Sequence, residues 1–259
     1  MLELRTDVTD GVATITFNRP DKHNAINLAM WQEFGRLMPV LAADDAVDVV
    51  VFRGAPGGPF SAGADISEFT TLRRDPEDAE AYGEAVTSGE RAILTCPKPT
   101  VALIEGFAIG GGSQVALACD LRVCSPTSRF GITPAKLGIV YALPSTARLV
   151  EVVGPAWASW ILMTGDLVDA QTALRIGLVH EVVEDVPGRV AALAATLASR
   201  ARVSLLGAKA LIAAAASGQR EEDAAVRGHY HASLHSPEYR EGVDAFLAKR
   251  PPDFRAARG

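Results

Sequence analysis

The sequence predicts an α/β core followed by a helical C-terminal region, and three observations carry that prediction. Short apolar runs of strand length recur at Val47–Phe52, Thr100–Ile104 and Leu121–Val123, as expected of strands buried on both faces. Amphipathic stretches lie between them, which gives the alternation of an α/β protein. Beyond residue 140 the strand signals thin out and helical ones take over.

In chain order, Val12, Thr14 and Thr16 alternate with Ala13, Ile15 and Phe17, the period of a half-buried strand. Pro20 and the polar stretch Asp21–Asn24 break that pattern. From Ile26 to Leu41, the residues Leu28, Trp31, Phe34, Leu37, Met38 and Leu41 recur at steps of three and four, one face of a helix. Ala79–Leu94 reads as a helix, stopped by Cys96-Pro97-Lys98-Pro99. Ala147–Val153, Pro155–Met163, Ala170–Ile176 and Arg189–Ala216 read as helices, Pro155 being placed for a first turn. Val179–Val183 is the one strand-like segment among them, and Ala224–Phe246 is polar and helical with a break at Ser236-Pro237.

The chain has 259 residues, with 31 Asp and Glu against 25 Lys and Arg, a formal charge of −6. That length favours one large domain with an appendage, here a core over 1–200 and a helical region over 201–259. A hydrophobic share of 48% and a charged share of 22% exclude disorder and a disulfide scaffold. The acidic balance argues against a nucleic-acid partner. No apolar run is long enough to span a membrane, and the N-terminal MLELRTD has no apolar stretch of a secretory signal. Cys96, Cys119 and Cys124 are odd in number and lack metal-ligand spacing, which suits the reducing cytoplasm.

Several motifs are absent. Gly58–Gly63 continues Ala-Asp where a phosphate loop needs Lys-Ser, and Gly106–Gly112 does not fit a dinucleotide fingerprint. Ser61 lacks the first glycine of a nucleophile elbow. His231 and His235 share a helix face with no H-E-x-x-H glutamate between them, so with His229 they read as solvent-facing and no metal is expected.

Two segments do carry chemistry. Gly57–Ile66 and Gly106–Val115 each follow a buried strand, are rich in Gly and Ala, and should each lead into a helix. Glycine lets a ligand come close to the backbone. A helix beginning at Gly111 or Gly112 points unpaired N–H groups and a positive dipole end at whatever sits there. Two such elbows can aim two donors at one carbonyl oxygen, an oxyanion hole.

This pair, with Asn18–Pro20, Asn24-Ala25, Ala118–Arg122, Phe130-Gly131, Leu162–Gly165 and Ala245–Arg250, resembles the enoyl-CoA hydratase/isomerase (crotonase) superfamily over nearly the whole chain. The resemblance implies a spiral of ββα turns with a helical C-terminal trimerisation region, assembled as a trimer or a dimer of trimers. It implies an acyl-CoA thioester substrate whose oxygen is held by the N–H groups of Ala64 and Gly111. The CoA moiety would run along Lys22 to Ala25 and Ala62 to Ile66, including Asp65. No separate cofactor is implied, since coenzyme A is part of the substrate.

The chain departs from the hydratases of that family, which use two glutamates as acid and base. Gln114 stands at the first position and Pro134 at the second, and neither transfers a proton near neutral pH. Glu68 and Glu105 are close in sequence, but Glu68 suits the first turn of a helix and Glu105 the end of a strand. Thr133–Tyr141 is similar to a stretch of methylmalonyl-CoA decarboxylases in the same superfamily, in which Tyr141 would orient the departing carboxylate and help protonate the enolate. Packing against the acyl chain accounts for Tyr141 equally, and for Leu143, Leu149 and Trp160 as pocket or core residues. Three readings stay open: a decarboxylase of a 2-carboxyacyl-CoA, a hydratase or isomerase with a non-standard acid/base group, and a non-catalytic acyl-CoA-binding protein.

Overall fold

The computed structural model describes residues 3–259; Met1 and Leu2 of the charged N-terminal stretch lie outside them. Nine strands form two sheets. The larger contains β1 (Leu4–Thr9), β2 (Val12–Phe17), β3 (Val49–Gly54), β4 (Thr100–Ile104), β6 (Leu121–Cys124) and β9 (Glu181–Val182), in that order. Only β1 and β2 pair antiparallel; the rest of this sheet is parallel. The smaller sheet is β5 (Phe107–Ile109), β7 (Arg129–Gly131) and β8 (Val168–Asp169). Successive strands pass from one sheet to the other: β4 to β5, then β6 to β7. The helix α4 (Gly111–Ala118) follows the first pair and α5 (Leu143–Thr164) the second. This is the ββα spiral.

The predicted strands of the large sheet and the first helices appear where the periodicity puts them. The helix α1 (Leu28–Ala43) buries Trp31, Phe34, Met38 and Leu41. It starts at Asn27, whose side chain accepts from the Met30 N–H. A second helix, α3 (Pro76–Leu94), packs beside it and opens on an Asp75 cap with Pro76 in its first turn. Between them the first elbow does not lead into a long helix; it gives a 3-10 turn at Ile66–Glu68 and the four-residue α2 (Phe69–Leu72). Strands β1, β5, β7 and β8 carry no sequence signal. β1 is an edge strand with most residues exposed, and the others have only two or three residues.

The C-terminal half is helical: α6 (Ala170–Arg175), α7 (Val186–Ala198), α8 (Arg202–Ala216), α9 (Ala224–Leu234), α10 (Pro237–Leu247) and α11 (Phe254–Arg258). The sequence reads Arg189–Ala216 as continuous helix, whereas α7 and α8 meet at a 104° bend. A tertiary contact holds that bend. The buried Glu238 accepts the Arg202 and Val203 N–H groups that begin α8, at 2.8 and 2.9 Å. No single helix among the described residues is long and apolar enough to cross a membrane. Within α5, Gly154 sits at φ 75° and separates the two helical stretches read from the sequence.

One charged cluster ties this helical layer to the sheet. Asp48, 4% exposed, receives Arg202 at 2.7 Å and Arg258 at 2.9 Å. Removing one partner of a buried cluster strands the others. We therefore expect Asp48→Ala to cost about 3 kcal/mol of unfolding free energy, read by denaturant titration, with the loss centred on the C-terminal helices in hydrogen exchange.

Candidate active site

The two glycine-rich elbows lie side by side. Ser61 bridges to Ala108 and Ile26 to Ala64, both in parallel register. The Ser61 N–H donates to the Phe107 carbonyl at 3.0 Å, and the Ile109 N–H returns to the Ser61 carbonyl at 3.1 Å. On its other edge the elbow accepts the Ile26 N–H at Gly63 O, 2.7 Å, and donates from Asp65 N to Ile26 O, 2.9 Å. This register uses the groups on either side of Ala64 and turns the Ala64 N–H the other way. Gly111 is the first residue of α4, so its N–H has no acceptor within the helix.

The approach of these two backbones is close. A Cβ on Gly111 would stand 3.4 Å from the Ala64 nitrogen and 3.1 Å from Cζ2 of Trp31. Gly63 has φ +100°, and a Cβ there would stand 2.7 Å from the Ile109 carbonyl. Ala64 and Gly111 both line a cavity of about 470 Å³, together with Trp31, Gln114, Tyr141 and Ser145. Among the described residues its charged lining is Arg73 and Lys136, and no carboxylate reaches its wall. The Arg73 guanidinium lies 4.6 Å from the centre of the Phe69 ring.

Behind that wall sits a polar cluster in an apolar surround. Gln114 Nε2 donates to Glu90 Oε2 at 2.7 Å and to Ser145 Oγ at 2.9 Å, and Ser145 Oγ lies 2.5 Å from the same Glu90 oxygen. Glu90, Gln114 and Ser145 are each buried. Burial pushes the Glu90 carboxyl above the usual carboxylate range, against the pull of the Ser145 and Gln114 hydrogen bonds and of Arg148. The Tyr141 hydroxyl is buried without a hydrogen-bond partner. Burial, and then the nearby Glu90 charge, push its pKa well up, so it is a phenol and a proton donor.

The family model for enoyl-CoA hydratase/isomerase matches residues 7–257. The chain belongs to the enoyl-CoA hydratase/isomerase family. It is 32% identical over 248 residues to a crotonyl-CoA hydratase of Syntrophomonas wolfei, covering 94% of each chain. To an (E)-benzylidenesuccinyl-CoA hydratase of Thauera aromatica it is 32% identical over 268 residues, covering 97% of this chain and 98% of the other. Among solved structures, an enoyl-CoA hydratase/isomerase family protein from Hyphomonas neptunium superposes with a TM-score of 0.94 at 34% identity, covering 98% and 97% of the two chains. An enoyl-CoA hydratase/carnithine racemase from Magnetospirillum magneticum gives 0.93 at 37%, covering 98% and 96%.

Of the residues the sequence singles out, Ala62, Ala64, Ile66, Gly111, Gln114, Pro134 and Tyr141 all line the cavity of this family member. Lys22 is exposed at the end of a 3-10 turn, outside the cavity wall, and Ala25 is buried with its carbonyl bonded to Arg19. The Asp65 carboxylate is turned away to Arg19, 2.8 Å, and to the Ser67 N–H, 3.1 Å. Glu68 falls in the first turn of the Ile66–Glu68 3-10 helix, as expected, and in addition caps α1 by accepting the Leu28 N–H at 2.8 Å. Glu105 pairs with Arg53 at 3.8 Å. Leu149 belongs to the core, while Leu143 and Trp160 are 78% and 55% exposed; none of the three lines this cavity.

Glu90 and Ser145 are what the sequence reading missed. The signal was a glutamate on the buried stripe of α3, beside Tyr82, Gly89 and Ile93, where an unpaired charge is not tolerated. For the elbow contact we expect Gly63→Ala to lower the unfolding free energy by about 2 kcal/mol through overpacking and a positive φ. Thermal melting of the variant checks this, and an unchanged melting temperature would contradict the close approach.

Proposed function

We propose that this family member stabilises a thioester enolate between the Ala64 and Gly111 amides, and that the reaction its site fits best is decarboxylation of a 2-carboxyacyl-CoA. The observation that carries the reading is a pair of convergent backbone donors on a cavity whose wall holds no carboxylate. Loss of carbon dioxide needs no base. The bond between the α-carbon and the carboxylate carbon breaks, its electron pair forms the enolate, and the thioester oxygen takes the charge. Fixed N–H dipoles aimed at that oxygen lower the barrier, and one such donor contributes about 3 kcal/mol. The Tyr141 hydroxyl, buried on the cavity wall, supports a part in orienting the carboxylate before it leaves.

The CoA moiety would follow Lys22–Ala25 and Ala62–Ile66 through backbone groups, since the Asp65 side chain is already engaged. Arg73 and Lys136 supply local positive charge for anionic parts of the ligand. Exposed apolar side chains on the C-terminal helices, among them Ile212, Leu234, Phe246 and Leu247, support assembly into a trimer or a dimer of trimers. Three unpaired buried cysteines support a cytoplasmic setting. A second reading, hydration of an enoyl-CoA, is favoured by the names of the similar hydratases; it draws its acid/base group from outside the two usual positions.

A mass-spectrometric screen against methylmalonyl-, ethylmalonyl- and crotonyl-CoA tests both. We expect loss of carbon dioxide from a malonyl-type thioester, about 100-fold slower in Gly111→Val, whose side chain covers the Ala64 amide. Tyr141→Phe lowers turnover if its hydroxyl orients the carboxylate; full turnover removes that role. Addition of water to crotonyl-CoA with no decarboxylation transfers the assignment to the second reading.

A further inference from the structure

An enolate, however it is formed, has to exchange a proton at its α-carbon, and among the described residues no carboxyl group reaches the cavity wall directly. We propose that Ser145 carries this proton between the acyl α-carbon and Glu90, with Gln114 holding the two in register. The inference rests on the acyl-CoA reading above and deepens it, and it holds whether the enolate arises by decarboxylation or otherwise.

The hydrogen-bond arrangement supports a relay with two states. With Glu90 protonated, its O–H donates to Ser145 Oγ across 2.5 Å, and Gln114 Nε2 donates to the same oxygen across 2.9 Å. Both Ser145 lone pairs are then occupied, so its own proton points away from Glu90 and Gln114, to the cavity side that Ser145 shares with the Tyr141 hydroxyl. With Glu90 ionised, Ser145 donates to Glu90 and presents a lone pair to the cavity instead. Gln114 also donates to Glu90 Oε2 at 2.7 Å in either state, so it orients the pair without gaining or losing a proton.

The step balances in each direction. To quench an enolate, the Ser145 proton moves to the α-carbon as the Glu90 proton moves to Ser145 Oγ; the negative charge passes from the thioester oxygen to Glu90. In reverse, the α-carbon–hydrogen bond breaks, its proton goes to Ser145, and the Ser145 proton goes to Glu90. Ser145 is therefore the catalytic residue, and Glu90 and Gln114 act through it. Burial holds Glu90 above the ordinary glutamate range, which keeps a transferable proton on it closer to neutrality. The groups facing it are Arg148 and Ser145 from α5, Tyr141 just before that helix and Gln114 from α4; α1 contributes the apolar Trp31 against the adjacent Gly89.

The test uses butyryl-CoA in deuterium oxide. Calorimetry first establishes that the intact protein binds it; no binding overturns the acyl-CoA reading and this inference with it. Mass spectrometry then follows α-hydrogen exchange, which the relay predicts for the wild type. The rate should rise with pH as Glu90 ionises, with a midpoint above the usual glutamate value, and then level off. Glu90→Gln and Ser145→Ala should each slow exchange about 100-fold with butyryl-CoA affinity unchanged, and Glu90→Asp should restore part of it. If a variant does not fold, the wild-type profile alone decides: absent or pH-independent exchange overturns the relay. Bound butyryl-CoA with undiminished exchange in both variants overturns it too, while leaving the acyl-CoA reading in place.

Discussion

The architecture of the site depends on one steric constraint, the absence of Cβ atoms where the two elbows meet. Gly63 faces the Ile109 carbonyl and Gly112 faces Ser61, where an added Cβ would stand 2.7 and 2.8 Å from its neighbours. The bridges of Ser61 to Ala108 and Ile26 to Ala64 then fix the register, so Ala64 and Gly111 meet on the cavity wall, where the proposed reading uses their amides as donors. Such donors are oriented by the fold before a ligand arrives, and little reorganisation is left for the reacting charge to drive. Side chains around the first elbow serve the same end. Arg19 holds Asp65, Asn24 donates to the Pro59 carbonyl at 2.7 Å, and Glu68 ties the turn after the elbow to the start of α1.

Against that rigid backbone frame, the variable chemistry lies in the side chains one layer out. Replacement of the two usual glutamates leaves Gln114 and Pro134 on the cavity wall, yet the region is not stripped of acid. The Glu90 carboxyl on α3 meets Gln114 and Ser145. An isolated buried carboxylate is costly, and here two hydrogen bonds and the Arg148 charge offset part of that cost, burial still holding the Glu90 pKa above its ordinary value. Gln114 suits this arrangement better than a glutamate would. A second carboxylate at 2.7 Å from Glu90 would raise both pKa values by repulsion, whereas the amide donates to Glu90 and Ser145 together.

What was legible in the sequence divides along physical lines. Period-two and helical patterns placed β2 and α1, one face of each being buried, and continuous apolar runs placed β3 and β4, which are buried on both faces. The glycine motifs gave the two elbows, since close backbone approach leaves a compositional mark. Strands β5, β7 and β8 are too short for any period. The bend between α7 and α8 depends on Glu238, more than 30 residues away in sequence. Glu90 was visible only as a misfit on an apolar stripe, and its partners come from α4 and α5; nothing local announces that three helices meet there. Asp65 and Glu68 were read by their neighbourhood in sequence, whereas their carboxylates are spent on Arg19 and on the N-terminus of α1.

The same logic connects the C-terminal layer to the chemistry. Asp48 lies just before β3, and it anchors Arg202 of α8 and Arg258 of α11. β3 runs from there to Gly54, and the chain continues directly into the first elbow. Its partner β4 runs parallel to it and feeds the second elbow in the same direction. The two strands therefore deliver both donors to one edge of the sheet, and the helical layer clamps the opposite edge of β3. A parallel pair cannot shift one strand along the other without moving every side chain it buries. Holding β3 at its start thus helps to hold Ala64 beyond its far end, which gives a stability element far from the cavity a direct mechanical link to the geometry of the cavity wall.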